Sequence, residues 1–319
     1  MKKIFITGID GFVGGHLINQ FISQKYELFG TGFQFYDDMI TNINNNKVNI
    51  KKIDILNKSA LTKFINEVKP DGIIHLAAQS QIPLSWSNTD LTFDVNIKGT
   101  NNLLRSVIDC QLEKIPILIV GAAAQYGHVK SNGQKITEND SFAPDNPYAV
   151  SKCSADLIAY QYSISHNLKI VRVRPFTHIG PGQKENFVCS EFAKKIVMIE
   201  YGLRKNVIKV GNIDIIRDFL DVRDVVKAYQ IIIENSLAGE VYNVCSGIGT
   251  SIKKILEILN NQSNKKLKII VDKTKFRKNE ALAIIGNNEK LKKELLWEPA
   301  YTLENTLKDI LDYWRNKIK

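Results

Sequence analysis

Long apolar runs are missing from this chain. No stretch approaches the roughly 20 apolar residues that a membrane-spanning helix needs, so a membrane protein is not expected. Cysteine is scarce. Only Cys110, Cys153, Cys189 and Cys245 occur, far apart and without a CxxC pair. That spacing argues against a disulfide frame and supplies no zinc pattern, so no metal is expected. The thiols read as buried residues of a reducing compartment. Long basic blocks are also absent. The formal charge is +10, from 43 basic and 33 acidic residues, yet basic side chains come singly or in pairs such as Lys51-Lys52 and Lys292-Lys293. Nucleic acid is therefore not an expected partner, whereas anionic small molecules are. The opening apolar run, Ile4 to Thr7, is too short for a signal peptide and ends at Gly8, so a cytoplasmic location is expected.

What is present is enough for a sizeable core: 319 residues, 44% of them hydrophobic. The first half alternates buried-strand runs with amphipathic helical runs. Lys3 to Thr7, Glu27 to Thr31, Gly72 to Leu76, Ile115 to Val120 and Lys169 to Val173 read as strands. Phe12 to Ser23, Ser59 to Val68, Asn96 to Ile108 and Pro147 to Ser165 read as helices. Such alternation predicts parallel pairing and an α/β, Rossmann-type doubly wound sheet. Its ligand should sit at the carboxyl ends of the strands. Asp37 to Lys52, rich in asparagine, reads as a polar loop.

After about Pro175 the alternation loosens. Strands are expected at Val207 to Val210, Val241 to Val244 and Leu267 to Val271. Helices are expected at Val188 to Gly202, Val222 to Glu234, Ser251 to Leu259 and Leu303 to Lys317. The predicted division is a dinucleotide-binding domain over 1–175 and a smaller α/β substrate lobe over 176–319, with some segments returning to the first.

The first strand runs into Gly8-Ile9-Asp10-Gly11-Phe12-Val13-Gly14, a GxxGxxG turn. Gly8 permits the tight turn, Gly11 lets backbone approach a pyrophosphate, and Gly14 lets helix pack on strand. The helix amino end offers N–H groups to phosphate. The strand–turn–helix context makes this a dinucleotide site rather than an ordinary turn. At the end of the second strand, Gly30-Thr31-Gly32-Phe33-Gln34-Phe35 supplies no acid for a ribose 2′-hydroxyl and no arginine for a 2′-phosphate. The choice between NAD and NADP is left open. Asp54-Ile55 is a candidate contact for adenine.

Tyr148 and Lys152 lie four residues apart, on one face of a predicted helix. Asn146-Pro147 supplies its start. A carbonyl that accepts hydride becomes an alkoxide and needs a proton. The Tyr148 phenol is the expected donor, with the Lys152 charge drawing down its pKa from about 10. Lys152 is also placed to bond the nicotinamide ribose.

The glycine turn and the tyrosine–lysine pair together resemble the extended short-chain dehydrogenase/reductase family. His75-Leu76-Ala77-Ala78-Gln79-Ser80, Asn96 to Leu104, Arg174-Pro175-Phe176, Arg217 to Asp224 and Tyr242-Asn243-Val244 follow in family order. Within its nucleotide-sugar branch, the chain looks most like reductases of GDP-linked 4-keto-6-deoxy hexoses. The cues are Ala78-Gln79-Ser80 with Ser85-Trp86, Arg174 to Gln183, Phe187-Val188 with Phe192-Ala193-Lys194, Val271-Asp272 to Arg277, and Leu296 to Pro299. The resemblance implies reduction of the C4 ketone with NAD or NADP in deoxysugar biosynthesis. It implies cofactor contacts at Gly8, Asp10, Gly11, Phe12, Val13, Gly14, Asp54, Ile55, Leu76, Ala77, Ala78, Gln79, Asn96, Tyr148, Lys152 and Phe176. It implies a nucleotide-sugar pocket at Ser80, Ala123, Tyr148, Thr177, Val188, Lys194, Arg217, Arg277 and Glu280, the arginines on diphosphate or ribose. It also implies a homodimer through a four-helix bundle built on Asn96 to Ile108 and Pro147 to Ser165.

The chain departs from the family pattern. Ala122 stands where a catalytic Ser or Thr is usual, so Tyr148 acts without a second hydroxyl on the ketone oxygen. Thr177 replaces a frequent Asn, and Lys278 an expected Pro. A 4,6-dehydratase needs an acid–base pair at positions held here by Ala123 and Ala124, which argues against elimination. A nucleotide-sugar 4-epimerase, which recycles its own cofactor, is the enzymatic alternative. A non-catalytic nucleotide-sugar-binding protein is the alternative of another class.

Overall fold

The computed structural model describes residues 2–24, 26–33, 48–127, 134–235, 237–276 and 281–318. Seven parallel strands form the main sheet: β1 (Lys3–Thr7), β2 (Glu27–Gly32), β3 (Val48–Lys52), β4 (Gly72–His75), β5 (Ile117–Val120), β6 (Ile170–Pro175) and a last strand, Val241–Val244. Their spatial order is β3-β2-β1-β4-β5-β6 and then Val241–Val244. The chain winds outward in both directions from β1, so the crevice lies at the carboxyl edge beside β1 and β4.

Side-chain alternation along each strand builds two cores. Ile4 and Ile6 of β1 pack on one face with Leu17, Phe21, Val225 and Tyr229 of helices Phe12–Ile22 and Val222–Asn235. Phe5 points to the other face, among Leu61, Phe64, Leu103 and Tyr162 of helices Lys58–Val68, Gly99–Asp109 and Pro147–Ser165. A sheet covered on both faces explains why its inner strands read as continuous apolar runs. This is the Rossmann-type architecture that the alternating pattern implies.

The second half contributes two smaller sheets. In one, β7 (Thr177–Ile179), β11 (Gly249–Ser251) and β13 (Ala283–Ile284) all pair with β9 (Ile216–Asp221). In the other, β8 (Val207–Val210) pairs with β12 (Lys268–Val271). Helices Val188–Glu200, Ile252–Gln262 and Leu303–Ile318 bury Phe192, Ile196, Ile255, Leu259, Leu307 and Trp314 together. Val241–Val244 is the strand β10 of chain order. It returns to the main sheet, and its neighbouring helix Val222–Asn235 covers that sheet's face.

Three expectations need correction. Val48–Lys52 is a strand, paired in register with β2, not the end of a polar loop. Asp37 to Lys47 lie outside the described residues. The helix expected from Asn96 starts earlier, as Thr89–Phe93, and passes through a π turn at Asp94–Lys98 before Gly99–Asp109. The charged segment Ile216–Asp221, unassigned from its pattern, is the central strand of the second half.

Candidate active site

Because the main sheet is parallel, β1, β4, β5 and β6 deliver Thr7-Gly8, His75-Leu76, Val120-Gly121-Ala122 and Pro175-Phe176 to one edge. Gly8 turns there with φ +70°, and a Cβ on it would meet the Ala77 nitrogen at 2.8 Å. Only glycine lets the first turn approach the fourth strand this closely. Gly11 is exposed and opens the helix Phe12–Ile22, whose amino end has no side-chain cap. Uncapped N–H groups beside a bare glycine fit a pyrophosphate.

The strand ends are tied by a hydrogen-bonded chain. The Thr100 hydroxyl donates to the Asn96 carbonyl at 2.6 Å, so toward His75 it acts as acceptor, taking Nε2–H at 2.9 Å. His75 Nδ1 then accepts from the Thr7 hydroxyl at 2.7 Å, and that oxygen accepts the Ala77 N–H at 3.2 Å. One tautomer satisfies every group. Burial, aided by the Lys152 charge, pushes His75 down to about 3, so it is neutral. The chain joins β1 and β4 to the turn that carries Asn96. Nothing in the residue pattern marked Thr7, His75 and Thr100 as a unit.

Asn96 is buried and fully engaged. Its Oδ1 accepts from the Gln79 N–H at 2.8 Å, and its Nδ2 donates to the Gln79 carbonyl at 3.0 Å and the Ser151 hydroxyl at 2.8 Å. The π turn aims it there, a frequent use of such turns. Gln79 donates to the Gln81 carbonyl and the Thr92 hydroxyl, so its side chain holds the loop and is not presented to a ligand. Ser80 beside it is exposed, and Leu76, Ala77 and Ala78 line the edge half-buried.

Helix Pro147–Ser165 starts as its sequence dictates: Asn146 Oδ1 accepts the Ala149 N–H at 2.9 Å, and Pro147 occupies the first turn. Lys152, one turn after Tyr148, is buried, and its ammonium donates to the Val120 carbonyl at the end of β5. Burial pulls Lys152 down to about 8 and pushes Tyr148 up to about 12. The expected lowering of the Tyr148 pKa by Lys152 is therefore not found. The lysine is bonded to a carbonyl instead, and desolvation dominates the phenol.

Ala122 follows β5 with extended backbone, and its N–H donates to Gln125 Oε1 at 2.6 Å. Gln125 in turn donates to Asp156 at 3.2 Å. Asp156 is buried and also accepts from Arg172 at 2.8 Å and Arg174 at 3.0 Å. This ionic group fixes the Ala122 segment from behind, a positioning role that the sequence did not signal. Ala123 and Phe176 pack beside it with Tyr126 and Cys245.

The second half meets the turn through β7. His178 stacks parallel to Phe12 at 6.3 Å, and His16 Nε2 bonds the Pro181 carbonyl at 2.9 Å. Thr177 lies opposite Phe219 of β9, two residues from Arg217. Arg217 Nη1 donates to the Ile216 and Ala281 carbonyls at 2.8 and 2.9 Å. Val188 opens its helix, half-buried. Lys194 is ion-paired with Glu185 and sits 5.2 Å over the Trp314 ring. Asp54 Oδ1 accepts from Leu56 N–H in a local turn, while the Ile55 side chain is buried against Gly99. Any adenine contact at Ile55 therefore uses its backbone. Arg277 and Glu280 lie outside the described residues. Among the described residues, no group of three or more His, Cys, Asp or Glu could hold a metal ion.

Comparison with known proteins fits this geometry. The family described as GDP-mannose 4,6 dehydratase matches residues 5–310. The GDP-6-deoxy-D-mannose reductase of Pseudomonas aeruginosa is 32% identical over 100% of this chain and 99% of its own. The GDP-6-deoxy-D-talose 4-dehydrogenase of Aggregatibacter actinomycetemcomitans is 29% identical over 91% of this chain and 90% of its own. Among solved structures, RMD from Pseudomonas aeruginosa complexed with NADPH aligns with TM-score 0.87, covering 99% of this chain and 100% of that one. The UDP-glucose 4-epimerase of Thermotoga maritima, 22% identical, also aligns at 0.87, over 99% of this chain and 100% of that one, and shares the fold. With a matched family profile spanning nearly its whole length and a full-length reductase relative, the chain belongs to the GDP-mannose 4,6-dehydratase family of extended short-chain dehydrogenases/reductases.

Proposed function

We propose that this chain is an NAD(P)-dependent reductase of the C4 ketone of a GDP-linked 4-keto-6-deoxy hexose. The observation that carries the reading is the composition of one edge. Lys152 reaches the Val120 carbonyl at the end of β5, with Tyr148 one helical turn before it, while Ala122, Ala123 and Ala124 follow that strand. That edge can give a proton to an oxygen. It has no second acid–base pair there for eliminating water, whatever the family's name.

When bound, the reduced nicotinamide supplies hydride. Tyr148, held up at about 12, keeps its proton at neutral pH and is in the state to give it to O4. Lys152 holds the helix start against β5 and adds positive charge near the developing alkoxide. With Ala122 unable to donate a hydrogen bond from its side chain, Tyr148 carries O4 alone or with water. Thr177, Val188, Lys194 and Arg217, with Arg277 and Glu280, are the proposed sugar-nucleotide contacts. The test is stoichiometry. A reductase oxidises one reduced cofactor per ketone consumed. Conversion between C4 epimers with no net cofactor use would establish the epimerase instead.

A cytoplasmic location is proposed from the sequence; among the described residues no helix is long and apolar enough to cross a membrane. A homodimer is proposed on helix Pro147–Ser165, where Leu157, Tyr160 and Ile164 are exposed beside a groove lined by Phe93, Ile97 and Ile158. Exposed apolar side chains clustered on one helix face suit a second copy. A sedimentation mass of one chain at micromolar concentration would remove that proposal.

A further inference from the structure

The second strand of a dinucleotide fold normally ends in an acid that bonds the adenosine ribose. Here it ends in Gly32, and residues 27–52 contain no arginine for a 2′-phosphate. The structure fills the gap from another element. A Cβ built on Gly32 would lie 2.5 Å from Cγ of Asp10, 2.7 Å from its Oδ2 and 2.8 Å from its Oδ1. The carboxylate of Asp10 thus occupies the space that a side chain at the end of β2 would take. The placement is fixed by backbone: the Gly8 and Ile9 N–H groups both donate to the Thr31 carbonyl, at 2.7 and 3.2 Å. These bonds lock the glycine turn onto the last residues of β2.

We propose that Asp10 makes this chain selective for NAD(H) over NADP(H). Reaching from the glycine turn across Gly32, its carboxylate stands where the adenosine ribose lies. It accepts a hydrogen bond from the 2′-hydroxyl of NAD(H). Against the 2′-phosphate of NADP(H) it sets like charge at close range. The absence of a side chain on Gly32 is what admits it. The inference rests on the glycine turn being the dinucleotide site, and it separates this chain from its relative seen with NADPH.

The experiment is direct binding of NADH and NADPH, followed by quenching of protein fluorescence and by calorimetry. The wild type is expected to bind NADH roughly tenfold or more tighter than NADPH at low salt. Asp10→Asn keeps the shape and removes the charge, and should bring the ratio within about threefold, chiefly by tightening NADPH. The pair Asp10→Ser with Gly32→Asp moves the carboxylate back to the strand and should restore the preference. Circular dichroism checks that each variant is folded. Equal or tighter NADPH binding by wild type, or a ratio that Asp10→Asn leaves unmoved, overturns the inference. Failure of both nucleotides to bind wild type would overturn the dinucleotide site itself, and this inference with it.

Discussion

His75 should make the stability of this protein fall steeply with acid, by an amount the structure sets. The ring is 3% exposed, and its two nitrogens are committed, one as donor to Thr100 and one as acceptor from Thr7. Protonation would put a second donor against a hydroxyl that is already donating, in a buried site. The folded pKa is about 3, against 6.5 for an ordinary histidine. A folded value below the unfolded one means that the unfolded chain binds more protons between those limits. The stabilisation is complete above pH 6.5 and is lost as pH falls from there toward 3. From pH 7 to pH 5 the loss is about 2 kcal/mol. Urea unfolding at pH 7, 6 and 5, for wild type and His75→Gln, reads it. The variant starts less stable, so only the pH dependence counts. His16 and His178, which burial also shifts down, titrate equally in both proteins. Wild type should lose about 2 kcal/mol more than the variant across that interval. Parallel losses would refute the assigned tautomer and burial.

Tyr148→Phe should lower kcat by roughly 10²- to 10⁴-fold, with nucleotide affinity nearly unchanged in fluorescence titration. Full turnover would remove Tyr148 as the proton donor. Ala122→Ser places a hydroxyl beside the ketone and should raise kcat, by up to the roughly 10²-fold that a single oxyanion donor contributes; an unchanged rate would show the hydroxyl to be dispensable. Asp156→Ala strips the shared partner from buried Arg172 and Arg174. It should destabilise by about 3–5 kcal/mol in urea unfolding, and a loss under about 1 kcal/mol would contradict the ionic group's role.

The features legible in the residues were those fixed by local chemistry. A strand, a GxxGxxG turn and an amphipathic helix announce one another within a dozen positions. Asn146-Pro147 announces the helix that carries Tyr148 and Lys152. What was not legible depended on distant partners. β3 is an edge strand with Lys51 and Lys52 exposed, so it carries the charge that edges tolerate and little apolar signal. β9 contains Arg217, Asp218 and Asp221, and a charged run reads as surface until its partners are known. Asp218 is buried because Ser246, Gly247 and Gly286 N–H groups converge on it. The π turn at Asn96 makes sense only with Gln79 and Ser151 in place. Asp10 depends on the missing side chain of Gly32, a relation that no pattern along the chain displays.

The claim at the centre of this account is that hydride ends on the sugar's C4 while Tyr148 supplies the proton. Mass spectrometry of the product formed from a GDP-linked 4-keto-6-deoxy hexose and reduced cofactor deuterated at the nicotinamide C4 tests it. The predicted result is one deuterium at sugar C4 and one oxidised cofactor per product, with both forming together roughly 10²- to 10⁴-fold more slowly in Tyr148→Phe. Product without deuterium at C4, or sugar turned over with the cofactor unspent, would contradict it.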